Sequence, residues 1–136
     1  MRQIQLCAGN ERTQVQLVAW PLGKDWLVVI TNANGHVGAV AVGECDAESG
    51  RASSSVLTMA GHRDDLIAKP QAQALAKALR RRVVVVAGVH VEHPTTAEIE
   101  AIVANAATLV RELAHQLAGE SGPRRQRASE RGVEMV

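Results

Sequence analysis

The chain has 136 residues, with fifteen Lys and Arg against fourteen Asp and Glu and a formal net charge of +1. That length is enough for one ordinary domain with a real core, and the even charge balance excludes a broad electrostatic footprint for nucleic acid. No apolar run approaches a bilayer-spanning length, the first residues lack a signal-peptide core, and Cys7 and Cys45 have neither metal-type spacing nor the look of a disulfide framework. The expected setting is therefore cytoplasmic, with neither membrane nor nucleic acid as partner. There is no Phe and no Tyr, only Trp20 and Trp26, so the core must be built from Val, Leu, Ile and Ala. A planar ligand would find few rings to stack on.

Residues 2–7 and 14–20 alternate apolar with polar, the period of a half-buried strand, and the GNERT between them fits a hairpin loop. A third strand is predicted over 25–31. Asn34-Gly35 then signals a turn, because both residues tolerate positive φ, and leads into a fourth strand over 36–43. The small residues of that strand suggest that something packs closely against one face. After a polar loop over 44–52, residues 53–60 read as a fifth strand entered through three serines. Leu66 to Lys69 predict a short turn, and Pro70 to Arg81 a helix carrying the proline in its first turn. Arg80, Arg81 and Arg82 suit the negative end of that helix.

The sixth strand is the valine run from Val83, continuous enough to suggest burial on both faces. Thr95 to Glu98 is a capping box for a last helix reaching about Ala118, with Ile99, Ile102, Val103, Ala106, Val110, Leu113 and Leu117 as its apolar stripe. The order predicts a two-layer α/β (or α+β) domain over 1–119: a mixed β-sheet of about six strands, the first four in hairpin style, with two helices packed on one face. Strands five and six, joined through a helix, are expected as parallel neighbours. Residues 120–136 are polar, broken by Gly and Pro, and expected to be disordered. The uncovered sheet face predicts a homo-oligomer, another copy being the simplest cover.

Parallel strands five and six would bring their C-terminal ends, Gly61-His62-Arg63-Asp64-Asp65 and Gly88-Val89-His90-Val91-Glu92-His93, to one edge, where open α/β sheets collect ligands. Glycines there allow close backbone approach, and helix starts offer free N–H groups. Strand alternation would project His90 and Glu92 to one side, as an imidazole and a carboxylate for a common partner. Plain structural roles compete: Asp64 and Asp65 as helix cap and first-turn residues, His93 as a turn residue, Ser53 to Ser55 as a polar strand start, His36 in solvent and His115 as structural. Imidazole with carboxylate also suits a divalent metal, with His62, His90 and Glu92 the candidate ligands, although no HxxxH, HxH or CxxC pair supports it.

Asn34-Gly35-His36-Val37-Gly38-Ala39-Val40, Ser54-Ser55-Val56-Leu57-Thr58, Gly61-His62-Arg63-Asp64-Asp65 and Val84-Val85-Val86-Ala87-Gly88-Val89-His90 together resemble the LpdD-like prenylated flavin chaperone family, over roughly residues 25 to 115. These are small accessory proteins of gallate-type decarboxylases that depend on prenylated flavin. The resemblance implies a binding protein that holds reduced prenylated FMN, made by a flavin prenyltransferase, and assists its delivery to an apo-decarboxylase. On that reading Gly61, Ser54, Ser55 and Arg63 would meet the phosphate, and His36, His62 and His90, with Asp64 and Gly88, would line the flavin or a bound cation. Two other readings stay open: a small metal-assisted or general acid–base enzyme using His90 and Glu92, and a ligand-free structural subunit of a decarboxylase.

Overall fold

The computed structural model describes residues 2–61 and 63–119; the expected tail over 120–136 and His62 lie outside the described residues. Among the described residues, six strands and two long helices follow one another as β1 (Ile4–Ala8), β2 (Val15–Leu22), β3 (Asp25–Thr31), β4 (Ala39–Cys45), β5 (Ala52–Thr58), α1 (Asp65–Leu79), β6 (Val83–Gly88) and α2 (Thr96–Gly119), with a 3-10 turn at Glu11–Thr13 between β1 and β2.

The strands form one mixed sheet in the order β1-β2-β3-β6-β4-β5. β1, β2 and β3 pair antiparallel as the alternation predicts, and β6 then joins β3 in parallel. β4 lies antiparallel between β6 and β5. This corrects two expectations. β3 and β4 are not a hairpin, because β6 is inserted between them, and β5 and β6 are not neighbours, because β4 separates them. Two successive antiparallel pairings still leave β5 and β6 pointing the same way, so their C-terminal ends share an edge.

Alternation within each strand sends one set of side chains under the helices. Ile4, Ala19, Val28, Val85, Ala41 and Val56 follow one another across the sheet by register, and Leu6, Leu17, Ile30, Ala87, Ala39 and Thr58 form the next row. From Ala19 to Ala41 in the first row and from Leu17 to Ala39 in the second, these residues are fully buried. α1 lies over β4, β5 and β6, and α2 over β1 and β2. The small residues of β4 meet the alanine face of α1: a Cβ on Gly43 would run into the Ala72 carbonyl, with Ala76 beside it. The opposite rows, Val18, Val29, Val86 and Val40, then Trp20, Leu27, Val84 and Val42, are half-buried, and among the described residues no helix lies over them. Among the described residues, the valine run of β6 is therefore covered on one face alone.

α1 is one helix from Asp65, not a turn followed by a helix from Pro70. Pro70 and Leu66 both face solvent, so the N–H that proline lacks leaves a carbonyl that water can satisfy. The helix stops at Leu79, short of the arginine run, where Arg80 takes a left-handed φ of 53° and donates its N–H to Ala76. The capping box of α2 forms as read: Thr95 N donates to Glu98 Oε1 at 2.9 Å and Glu98 N to Thr95 Oγ1 at 3.1 Å. No described helix is long and apolar enough to cross a membrane.

Candidate functional site

The C-terminal ends of β3, β5 and β6 and the segment leading into β4 meet at one edge of the sheet. β4 begins at Ala39, so His36 to Gly38 are not strand residues; they run beside the end of β6, where His36 N donates to the Gly88 carbonyl at 3.3 Å and Gly38 N to that of Ala87 at 3.0 Å. This approach requires glycine. A side chain on Gly88 would overlap the His36 carbonyl, and one on Gly38 would overlap the Asp64 carboxylate. The turn at Asn34-Gly35 closes through Gly35 N to the Asn32 carbonyl at 2.9 Å, but neither residue has positive φ.

Asp64 is the centre of this edge. It occupies the N-cap position of α1, yet its carboxylate makes no capping bond. Buried to 7% exposure, it accepts the Val89 N–H at Oδ1 (3.0 Å) and brings Oδ2 to 3.4 Å from His36 Nε2. The His36 ring in turn meets the His90 ring edge to face, with centroids 6.1 Å apart. His90 is held by its backbone: Asn32 Oδ1 accepts its N–H at 3.1 Å and Asn32 Nδ2 donates to its carbonyl at 2.8 Å. The Asn32 side chain thus extends the β3–β6 pairing beyond the last strand residue. Sequence reasoning passed over Asn32, whose signal was an amide side chain at the end of a strand.

A cleft of about 260 Å³ opens here, lined on its polar side by His36, Gly61, Arg63, Asp64 and His90. Gly61 has a φ of +78°, a conformation suited to glycine, and Arg63 stands at the rim with its side chain 78% exposed and Nε 3.8 Å from Asp65 Oδ1. The other side is aliphatic: Leu66, Ile67, Val89, Val91, Pro94, Ile99, Ile102 and Val103. The structure thus brings together His36, Gly61, Arg63, Asp64 and His90 of the residues proposed from sequence, with Gly88 forming the backbone wall behind His36.

Ser54 and Ser55 are not brought to this group. Ser54 points under α1, where its hydroxyl donates to Gln73 and receives Lys69 Nζ at 3.1 Å. Ser55 pairs with Val42 and so belongs to the helix-free face. Glu92 parts from the cleft as well. β6 ends at Gly88, so strand alternation does not govern His90 and Glu92, and Glu92 lines a second, adjoining cleft of about 450 Å³ with His90, Asn32 and Arg12. His90 and Val91 form the ridge between the two clefts. Among the described residues, no three His, Cys, Asp or Glu side chains are gathered to hold a metal ion. His93 has a left-handed φ of 48° in the turn before Pro94, and His115 is exposed on α2.

Arg12 braces the second cleft from the 3-10 turn. Its Nε lies 2.6 Å from Glu98 Oε2, and a terminal nitrogen donates to the Glu92 carbonyl at 2.8 Å. The bond from Arg12, helped by the Thr95 N–H, holds the Glu98 carboxyl at about 2, well below its ordinary value of 4.5.

Nine chains among the solved structures match this one. One of them, from the crystal structure of a chaperone complex for yeast 20S proteasome assembly, is 12% identical with a TM-score of 0.56, over 89% of this chain and 98% of that one. At that identity the likeness concerns the fold alone. No curated protein sequence matches. The family model for the prenylated flavin chaperone LpdD-like domain matches residues 9–118, which take in every strand from β2 onward, α1, α2 but for its last residue and the edge around Asp64. The chain belongs to the prenylated flavin chaperone LpdD-like family.

Proposed function

We propose that this protein carries reduced prenylated FMN in the cleft between His36, His90 and the start of α2, and hands it to an apo-decarboxylase that depends on that cofactor. The observation that carries the reading is the convergence of His36, Gly61, Arg63, Asp64 and His90 on one open cleft with an aliphatic wall, in a chain of the prenylated flavin chaperone family. Two imidazoles supply donors and acceptors for the polar edge of a flavin. Arg63 is the cation for the phosphate. The Asp64 carboxylate in the cleft lining repels an anion, so the phosphate faces the rim and the ring system points inward. A shallow site suits a carrier, because a ligand enclosed on all sides is slow to leave.

Anaerobic gel filtration with reduced prenylated FMN tests this. The cofactor co-elutes with the intact protein, and Arg63→Ala or His36→Ala weakens retention. Full retention in both variants would remove the site assignment. Loaded protein also activates an apo-decarboxylase faster than free cofactor does, and elemental analysis of the same sample reports whether a divalent cation accompanies the flavin. The flavin prenyltransferase is the source of the cargo in this scheme. The apolar rows on the helix-free face of the sheet are covered by a second copy of the chain, which makes the carrier a homo-oligomer.

A further inference from the structure

We infer that the aliphatic wall of the cleft selects prenylated over unmodified flavin, with Ile99 and Val103 of α2 as the discriminating residues, an inference that rests on the carrier reading above. α2 opens with a polar capping box, and the turn that follows would be expected to stay polar where it meets water. Instead Ile99 is 41% exposed at the cleft, and Leu66, from the first turn of α1, lines the same cleft at 42% exposure. Val103 continues the wall one helical turn further along α2, half-buried, and Ile67 and Ile102 close it at 3% and 7% exposure. Large apolar side chains left open at a cleft lose the benefit of burial until something apolar covers them.

The shape of that cover follows from what the wall lacks. Planar heteroaromatic rings are held best by ring stacking. This chain has no Phe or Tyr, Trp26 sits at the start of β3, away from the edge that carries the site, and Trp20 lies on the helix-free face. The imidazoles of the cleft meet each other edge to face. Branched aliphatic side chains complement branched saturated hydrocarbon instead, and that is what prenylation adds to a flavin. With the phosphate at Arg63 on the rim, the ring system enters toward α2 and its added hydrocarbon meets Ile99 and Val103.

Isothermal titration of the full chain under anaerobic conditions, with reduced prenylated FMN and reduced FMN as separate ligands, tests the inference. The intact protein is expected to prefer the prenylated form by about tenfold or more, the scale on which an apolar pocket resolves small hydrocarbon differences. Ile99→Ser and Val103→Ser each lower that ratio about tenfold, toward unity. Ile99 and Leu66 are exposed enough for their serine variants to fold, and Leu66→Ser provides a second reading from α1. Equal affinity of the intact protein for both flavins, or a parallel loss of both in Ile99→Ser at an unchanged melting temperature, overturns the inference and leaves the carrier reading standing. Binding of neither flavin overturns the carrier reading and this inference with it.

Discussion

Val89 donates its backbone N–H to Asp64 Oδ1 at 3.0 Å, while the other oxygen of the same carboxylate lies 3.4 Å from His36 Nε2. One buried side chain therefore joins the start of α1, the end of β6 and the segment between β3 and β4. Asp64→Ala leaves the half-buried Val89 N–H without this partner and is expected to cost about 1 kcal/mol, the lower end of the penalty for a stranded donor. Asp64→Asn keeps an oxygen for Val89 and should lose less. Urea unfolding of both variants decides: equal losses would mean that the hydrogen bond is not what Asp64 contributes.

The glycines around Asp64 make a second, graded prediction. A Cβ on Gly88 would collide with the His36 carbonyl, which is backbone, whereas one on Gly38 would collide with the Asp64 carboxylate, which can rotate away. Gly88→Ala should therefore destabilise more than Gly38→Ala, by roughly 1–3 kcal/mol or above, the range for overpacking a tight contact. Gly38→Ala should act more on flavin retention, since moving the carboxylate releases both Val89 and His36. Gly119, with open space at its Cβ, is the control position, and Gly119→Ala should be close to neutral or slightly stabilising. A reversed order for Gly88 and Gly38 in denaturant midpoints would contradict the close approach.

What could be read in advance, and what could not, divides along sequence separation. The alternation over 14–20 and 25–31, the Thr95–Glu98 box and the stripe of α2 are local patterns, and all became elements near the expected bounds. Pairing is not local. Asn34-Gly35 invited a β3–β4 hairpin, but the chain passes the end of β6 and returns on its far side, where Ala39, Ala41 and Gly43 leave room for α1. Gly61, Asp64 and His90 were legible as a group because β5 and β6 point the same way even with β4 between them, while His36 joined them only through the family resemblance. Ser54 and Ser55, assigned to the phosphate through the family resemblance, stand apart from this group, because that resemblance says nothing about which sheet face each serine takes. Of the aliphatic wall, Ile99, Ile102 and Val103 are legible only as the stripe of α2, since Ile99 and Leu66 come to line one cleft with His90 through the packing of α1 on α2.

The brace at Glu98 carries a pH prediction. Arg12 and the Thr95 N–H hold the Glu98 carboxyl at about 2 in the folded protein against an ordinary 4.5. A carboxyl depressed by folding adds stability that is complete above its unfolded value and is lost as pH falls through the folded one. The contribution is thus full above about pH 5 and disappears between there and about pH 2. The Arg12 guanidinium, raised by the same bond, stays charged throughout. Glu98→Gln should flatten the acid limb of a stability-versus-pH curve relative to the parent, with the difference confined to this window. An unchanged acid limb would show that the pair is open to water in solution, as exposed ion pairs commonly are.

The helix-free face gives the last test. Val18, Val29, Val86 and Val40 lie side by side across four strands, with Leu57 beyond them at 71% exposure, and the next row runs Trp20, Leu27, Val84 and Val42. No charged side chain interrupts either row. A patch this continuous on a lone domain is a liability in water, and stacking two such faces at the spacing of packed sheets removes it. Sedimentation at micromolar concentration should therefore give a dimer or a larger homo-oligomer. Val86→Glu, at the middle of the patch and outside the core under the helices, should yield a folded monomer by sedimentation and circular dichroism. Trp20 reports the same event independently, because its emission should shift to the red when the partner face leaves. A monomeric parent whose Trp20 emission is indifferent to dilution would mean that this face meets something other than a second copy.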